Sequence, residues 1–141
     1  MPDGMHLSNT VAGLSTVPDA MYVLYTTFQT GRVQRVPNAN QVGVVELEGC
    51  PDMVLEVVSD SSVEKDTQLL PPLYQRAGIA EFWRIDARAV VQFEILRLTP
   101  AGYAPTHLPD GWWHSDVFGQ DFHLDQDTDP IGQPRFTLRF R

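Results

Sequence analysis

The chain has 141 residues, enough for one domain with one core, and apolar residues make up 43% of it, as in ordinary globular proteins. No apolar run approaches the roughly 18 residues that a membrane-spanning helix needs, so no contact with a membrane is expected. The formal net charge of −8 argues against broad nucleic-acid binding, which uses Lys and Arg to neutralise phosphates, but leaves open a local or metal-bridged phosphate contact.

The N-terminal half predicts a lead-in followed by short strands. Residues 1–16 are polar and without periodicity, which predicts an irregular segment. The apolar run over residues 17–25 predicts a first buried strand. Residues 32–36 and 42–47 predict a β-hairpin around the turn-forming residues 37–40.

The most apolar run of the chain carries a single charge. Residues 53–58 predict a buried strand, because the run is short, β-branched and bounded by Pro51 and by polar residues 59–62. Glu56 lies in the middle of this strand. Burying an unpaired carboxylate costs many kcal/mol, so Glu56 must be neutralised, paired with Arg or Lys, or bound to a metal. On the residues alone, structural pairing and metal binding are equally open.

A helix is predicted after this strand. Ser61 or Ser62 is a suitable N-cap, and Ala77-Gly78 is a suitable C-terminal stop. Pro71-Pro72 interrupts the helical pattern, and an interior proline removes a backbone hydrogen bond. We therefore expect a kinked or two-piece helix.

Further strands are predicted at residues 81–86, at residues 90–98 and, as an alternating edge strand, at residues 136–140. The order of strands, helix and strands predicts an α/β fold, a mixed β-sheet flanked by helix. The expected organisation is a single domain over residues 1–141, with the lead-in at 1–16, a core at 17–98 and a C-terminal loop with strands at 99–141.

The N-terminus lacks a signal peptide and Cys50 is the only cysteine, so a cytoplasmic location is the default expectation.

The partner of Glu56 in a metal site must come from another segment. Asp52 and Glu56 share one face of the strand but lie about 13 Å apart along it, too far for one ion to bridge. The best candidate is Asp19, a second Pro-Asp pair at the head of an apolar run. Asp52 fits better as a residue that ends its strand or caps a turn.

The middle of the chain resembles the Uma-two family of restriction-endonuclease-like proteins, within the PD-(D/E)XK nuclease superfamily. The resemblance is continuous over residues 51–86 and extends upstream to residues 17–19. The matching segments are Pro51–Ser59, Lys65-Asp66, Tyr74, Arg76–Ile79 and Glu81–Asp86. Their combined spacing is specific, whereas any one of them alone would be a weak signal.

The resemblance implies a Mg²⁺-dependent DNA endonuclease that hydrolyses phosphodiester bonds with a nuclease-like core over residues 17–98. Asp19 takes the place of the first superfamily aspartate, and Glu56 takes that of the second acidic residue. Both carboxylates, with the backbone carbonyl of Val57, would hold Mg²⁺ or Mn²⁺, which prefer oxygen ligands. Such an ion polarises the phosphodiester and lowers the pKa of a bound water. Lys65 is the candidate for the catalytic lysine.

The sequence departs from the superfamily pattern at the lysine positions and at the N-terminus. The superfamily lysine stands where this chain has Val58, and an alternative helix position holds Leu70. The family's N-terminal helix and first strands are not recognised before Asp19, so we expect a core that is incomplete at the N-terminus, as in a truncated copy. A second hypothesis follows: a catalytically degenerate relative that acts as an interaction or oligomerisation module, and hence a possible homo-oligomer.

Three residues of the helix also have structural interpretations. Lys65 and Asp66 fit an exposed charge pair in the first helical turn, and this interpretation is slightly favoured for Asp66. Tyr74 fits an aromatic residue at the edge of the core.

Overall fold

The computed structural model describes residues 4–37 and 44–141, and it has a mixed α/β fold. The predicted fold class is therefore confirmed. The helical segments are α1 (Tyr25–Gln29), a π-helical turn (Lys65–Leu69) and α2 (Leu70–Ala77). The strands are β1 (His6–Asn9), β2 (Leu14–Thr16), β3 (Ala20–Tyr22), β4 (Val33–Pro37), β5 (Val44–Gly49), β6 (Met53–Val58), β7 (Glu81–Asp86), β8 (Gln92–Thr99), β9 (Gly102–Pro105), β10 (Trp113–Ser115), β11 (Gln120–Thr128) and β12 (Pro134–Phe140).

The central sheet has the strand order β3-β6-β7-β8-β9. Strands β6 and β7 are parallel, whereas every other neighbouring pair in this sheet is antiparallel. A parallel pair needs a crossover connection, and the helical segment between residues 58 and 81 supplies it. The structure confirms the two strands predicted at residues 53–58 and 81–86. It also confirms that the second of them pairs with the strand that follows it.

The crossover helix is in two pieces, as predicted. Pro71 and Pro72 lie in the first turn of α2 and have no N–H groups to donate to the preceding turn. That turn widens to π geometry, and the Leu70 N–H donates to the carbonyl of Lys65. The helix ends at Gly78, whose φ of 81° lies in the left-handed region that glycine adopts without strain.

The two faces of the central sheet pack against different partners. On one face, Val54 and Phe82 contact Leu70 and Tyr74 of the crossover helix. On the opposite face, aromatic residues join the central sheet to the sheet β10-β11-β12. The members of this second cluster are Met53, Trp83, Phe93, Ile95 and Phe122. Glu56 shares the helix-facing side of β6 with Val54, because side chains alternate along a strand.

The prediction of an irregular lead-in over residues 1–16 is wrong for residues 6–9 and 14–16. Strand β1 pairs antiparallel with β2 and parallel with β5. Leu7 and Leu14 are both buried in the core that faces the crossover helix. The partner strand β5 is about forty residues away along the chain, so this pairing has no local periodicity that the sequence could reveal.

The next two predictions are confirmed in part. Strand β3 covers three residues of the run 17–25, but the prediction that this strand is buried is wrong, because Ala20 and Tyr22 are exposed and Met21 is only half-buried. Strands β4 and β5 pair antiparallel, which confirms the hairpin. The predicted turn residues 38–40, and positions 42 and 43 of the predicted second strand, lie outside the described residues.

The last strand, β12, pairs only with β11 in the part of the chain that the structure describes. The predicted alternating edge strand is thus confirmed. Its apolar side chains are exposed: Phe136 by 44%, Leu138 by 46% and Phe140 by 66%.

Within residues 4–37 and 44–141, no helix is long and apolar enough to cross a membrane.

Candidate metal centre around Glu56

Glu56 is completely buried and only partly satisfied. The Tyr74 hydroxyl donates to Oε1 at 2.5 Å, whereas Oε2 has no hydrogen-bond partner in the described part of the chain. Burial raises the pKa of Glu56 to about 7, the Tyr74 hydrogen bond opposes the rise, and the nearby Asp66 and Asp19 charges add to it. In the described part of the chain, no Arg or Lys forms an ion pair with this carboxylate, since Lys65 pairs with Asp66 and Arg84 with Glu94.

Asp66 is the second buried carboxylate of the site. Its exposed fraction is 1%, Oδ2 accepts a hydrogen bond from the Ser62 hydroxyl at 2.6 Å, and Oδ1 has no hydrogen-bond partner among the described residues. The Lys65 ammonium lies 3.7 Å from Oδ1. The predicted Lys65–Asp66 pair therefore exists, but the favoured interpretation of Asp66 as an exposed charge is wrong.

A signal for the burial of Asp66 was present in the sequence. Asp66 lies four residues before Leu70 and eight before Tyr74, so it extends the apolar stripe of the helix by one turn. Leu70 and Tyr74 are both buried against the sheet. Ser62 lies just ahead of this turn, and its carbonyl accepts a hydrogen bond from the Asp66 N–H at 2.8 Å.

Asp19 lies beside the end of β6, close to Glu56. Ala20 of β3 is paired with Leu55, so extending the antiparallel register by one residue sets Asp19 opposite Glu56. The exposed Asp19 carboxylate accepts a hydrogen bond from the Val57 N–H at 2.6 Å. The N–H and C=O groups of one strand residue point to the same side, so the Val57 carbonyl is directed toward this edge as well.

Asp52, by contrast, anchors α1. Its Oδ2 accepts hydrogen bonds from the Leu24 N–H at 2.8 Å and from the Thr27 hydroxyl at 2.7 Å. Both donors lie at the start of α1, where N–H groups lack helical partners. The expectation that Asp52 caps a turn is confirmed.

The cations near the site are Lys65 and Arg84. Lys65 exposes 46% of its side chain, and its charge lowers the pKa of Glu56. Arg84 is the register partner of Glu56 on β7, but it donates to Glu94 through Nε at 2.9 Å and through a terminal nitrogen at 2.6 Å. The two lysine positions of the superfamily pattern hold Val58 and Leu70, which are both buried in the core.

The donor set at this site fits a divalent cation by its chemistry. Across residues 4–37 and 44–141, no group of three or more His, Cys, Asp or Glu side chains is arranged to hold a metal ion. Two buried carboxylate oxygens without partners nevertheless remain, Glu56 Oε2 and Asp66 Oδ1. Burying such an oxygen is unfavourable unless a proton or a cation satisfies it, and hard divalent cations prefer carboxylate oxygen, carbonyl oxygen and water.

Comparison with known proteins gives one family. The family model Uma2, described as "Putative restriction endonuclease", matches residues 4–127. The matched segment contains every residue of the candidate site, including Asp19, Glu56, Lys65 and Asp66. Restriction-endonuclease-like proteins generally use divalent metal ions. A search of curated proteins gives no match to the chain.

Proposed function

The chain belongs to the Uma2 family of restriction-endonuclease-like proteins, and we propose that it is a Mg²⁺-dependent endonuclease that hydrolyses phosphodiester bonds in DNA. The observation that carries the proposal is the fully buried Glu56 carboxylate, whose Oε2 has no hydrogen-bond partner among the described residues. A buried, unsatisfied charge is unfavourable for folding, and strongly shifted carboxyl groups are characteristic of functional sites.

Asp19 and Glu56 are the proposed carboxylate ligands, and the Val57 carbonyl is the proposed backbone ligand. When bound, Mg²⁺ supplies charge neutralisation at the phosphate and a more acidic water. Tyr74 is a positioning residue, since its hydroxyl fixes Glu56 Oε1 at 2.5 Å and so orients Oε2. Lys65 is half-exposed, with its ammonium 3.7 Å from Asp66 Oδ1, and it can contact a phosphate oxygen.

The overall charge of the chain bears on DNA binding. A net charge of −8 repels a polyanion, so the site must attract the phosphate locally. The divalent cation and Lys65 provide positive charge at this place. We therefore expect DNA binding to be weak without a divalent cation and to weaken further as salt increases.

The test measures cleavage of supercoiled plasmid in Mg²⁺ or Mn²⁺ by three purified proteins. These are the wild type, the variant Glu56→Gln and the matched control Glu64→Gln. Glu64 lies on the same connection but outside the buried cluster. We expect the wild type and Glu64→Gln to cleave, and Glu56→Gln to lose at least about a hundredfold in rate, as on removal of a group essential to catalysis. Equal cleavage by Glu56→Gln, or no cleavage by the wild type, would contradict the proposal.

The alternative function is that of a catalytically degenerate relative that acts as an interaction or oligomerisation module. Val58 and Leu70 at the lysine positions favour it, and so does the exposed apolar side of β12 formed by Phe136, Leu138 and Phe140. Sedimentation equilibrium tests it with the wild type and a Phe136→Ser/Leu138→Ser variant. Self-association that the double substitution abolishes would support this alternative, and a wild type that stays monomeric over a wide range of loading concentrations would argue against it.

A further inference from the structure

Two buried side-chain atoms lack a hydrogen-bond partner in the described part of the chain, and both belong to the candidate metal centre. They are Glu56 Oε2, on β6, and Asp66 Oδ1, in the π-helical turn. Glu56 is 0% exposed and Asp66 is 1% exposed. Folded proteins satisfy nearly all buried polar atoms, so two unsatisfied carboxylate oxygens in one cluster indicate a missing partner.

The two carboxylates are held in the same manner. Each accepts one hydrogen bond from a neutral hydroxyl, Glu56 from Tyr74 at 2.5 Å and Asp66 from Ser62 at 2.6 Å. Each then leaves its second oxygen available to a ligand. The two carboxylates also come from elements in direct contact, because the π-helical turn that carries Asp66 packs against β6, which carries Glu56.

The protein cations near the pair do not satisfy these oxygens. Lys65 Nζ is 3.7 Å from Asp66 Oδ1, which is too long for a hydrogen bond, and the lysine is half-exposed. The other nearby cation, Arg84, is committed to Glu94. Two buried carboxylates that repel each other are stabilised by a divalent ion, because it neutralises both charges and supplies the missing partner to each.

We propose that Glu56 Oε2 and Asp66 Oδ1 are paired ligands of the divalent cation, which makes Asp66 a metal ligand in addition to Glu56. This inference deepens the proposed function and rests on it for the use that the cation serves. The π-helical turn then has a definite role, since it places Asp66 over β6 while the prolines that follow it begin α2.

The experiment measures Mn²⁺ binding by calorimetry and by the shift in melting temperature, independently of cleavage. The variants are Asp66→Asn and the control Asp60→Asn, whose aspartate is exposed on the same connection. Asparagine keeps an acceptor for the Ser62 hydroxyl but removes the charge. We expect Asp66→Asn to bind Mn²⁺ at least about tenfold more weakly and to lose most of the Mn²⁺-induced rise in melting temperature. Asp60→Asn should keep both.

A second readout separates a ligand from a merely structural residue. Without metal, Asp66→Asn should melt higher than the wild type, since it removes a buried charge whose ion pair with the half-exposed Lys65 is screened by solvent, whereas Ser62→Ala should melt lower. Unchanged Mn²⁺ affinity in Asp66→Asn, a lower metal-free melting temperature in that variant, or no Mn²⁺ binding by the wild type would each overturn the inference. Binding that depends on Asp66 together with absence of DNA cleavage would uphold it and contradict the endonuclease proposal. DNA cleavage by a protein whose Mn²⁺ binding does not depend on Asp66 would support the endonuclease proposal and contradict the assignment of Asp66 as a ligand.

Discussion

Two glutamates are buried in neighbouring strands of the central sheet, and their surroundings differ. Glu81 of β7 is 1% exposed and accepts hydrogen bonds from the Trp83 indole N–H at 2.9 Å, the Ser115 hydroxyl at 2.8 Å and the Val117 N–H at 2.8 Å. Glu56 of β6 is equally buried but, within residues 4–37 and 44–141, accepts one hydrogen bond, from Tyr74.

This difference separates a structural carboxylate from a candidate functional one. Both oxygens of Glu81 are satisfied by the protein, and its donors on Ser115 and Val117 tie the central sheet to the segment that begins the β10-β11-β12 sheet. Glu56 keeps one oxygen without a hydrogen-bond partner among the described residues, and a ligand can complete it. Burial alone therefore does not distinguish the two glutamates, whereas the number of protein donors around each of them does.

The largest expected effect on stability comes from removing the Glu81 carboxylate. Glu81→Ala leaves the donors of Trp83, Ser115 and Val117 without an acceptor in a buried place, so the free energy of unfolding should fall by about 3–5 kcal/mol. Urea denaturation measures it. A loss below about 1 kcal/mol would mean that these hydrogen bonds do not hold the two sheets together.

Removing the charge of Glu56 should stabilise the metal-free protein, whereas removing Glu81 should destabilise it. Its pKa is raised from 4.5 to about 7 in the folded state, so its contribution to stability is fully present below pH 4.5 and is lost as the pH rises through 7. At 1.36 kcal/mol per pKa unit, the loss is about 3 kcal/mol. Glu56→Gln should remove this decline and be more stable than the wild type at pH 8.

Urea denaturation across pH 4–8 checks this prediction, with Glu64→Gln as the control outside the buried cluster. The control should retain the decline of the wild type. If Glu56→Gln retains it too, the titrating group lies elsewhere, and the contrast between the two buried glutamates loses its electrostatic basis.

A smaller effect is expected from Tyr74→Phe, which removes the one protein donor that Glu56 has among the described residues. The free energy of unfolding should fall by about 1–3 kcal/mol at pH 8, where Glu56 is charged, and by less at pH 5, where it is protonated. The pKa of Glu56 should rise further, because the Tyr74 hydrogen bond opposes the effect of burial. An NMR titration of the Glu56 side chain measures the shift, and an unchanged pKa would be the contrary result.

The smallest effect on stability is expected from Lys65→Gln. Lys65 is half-exposed, so its ion pair with Asp66 is screened by solvent and the unfolding free energy should change by less than about 0.5 kcal/mol. Under the proposed function, plasmid cleavage should nonetheless slow by at least about tenfold. Cleavage at the wild-type rate would remove Lys65 from the site.

Elements with strong local patterns could be predicted from the amino-acid sequence alone. The apolar run around Glu56 forms β6, the double proline divides the crossover helix, and Gly78 ends it. Short-range chemistry decides these features, because strand alternation, missing proline N–H groups and a left-handed glycine act within a few residues. The contrast between Glu56 and its apolar neighbours is a local signal of the same kind, since a charge is unfavourable in a buried strand.

Which carboxylates have their hydrogen bonds satisfied could not be predicted without the packing of the sheets and the helix. Asp66 is buried because its helix packs on β6, and two of the three donors to Glu81, Ser115 and Val117, lie more than thirty residues away along the chain. Strand β1 likewise depends on pairing with the distant β5. Hydrogen-bond partners and burial arise from long-range contacts that leave no periodic trace in the sequence, so the difference between Glu56 and Glu81 appears only when the sheets and the helix come together.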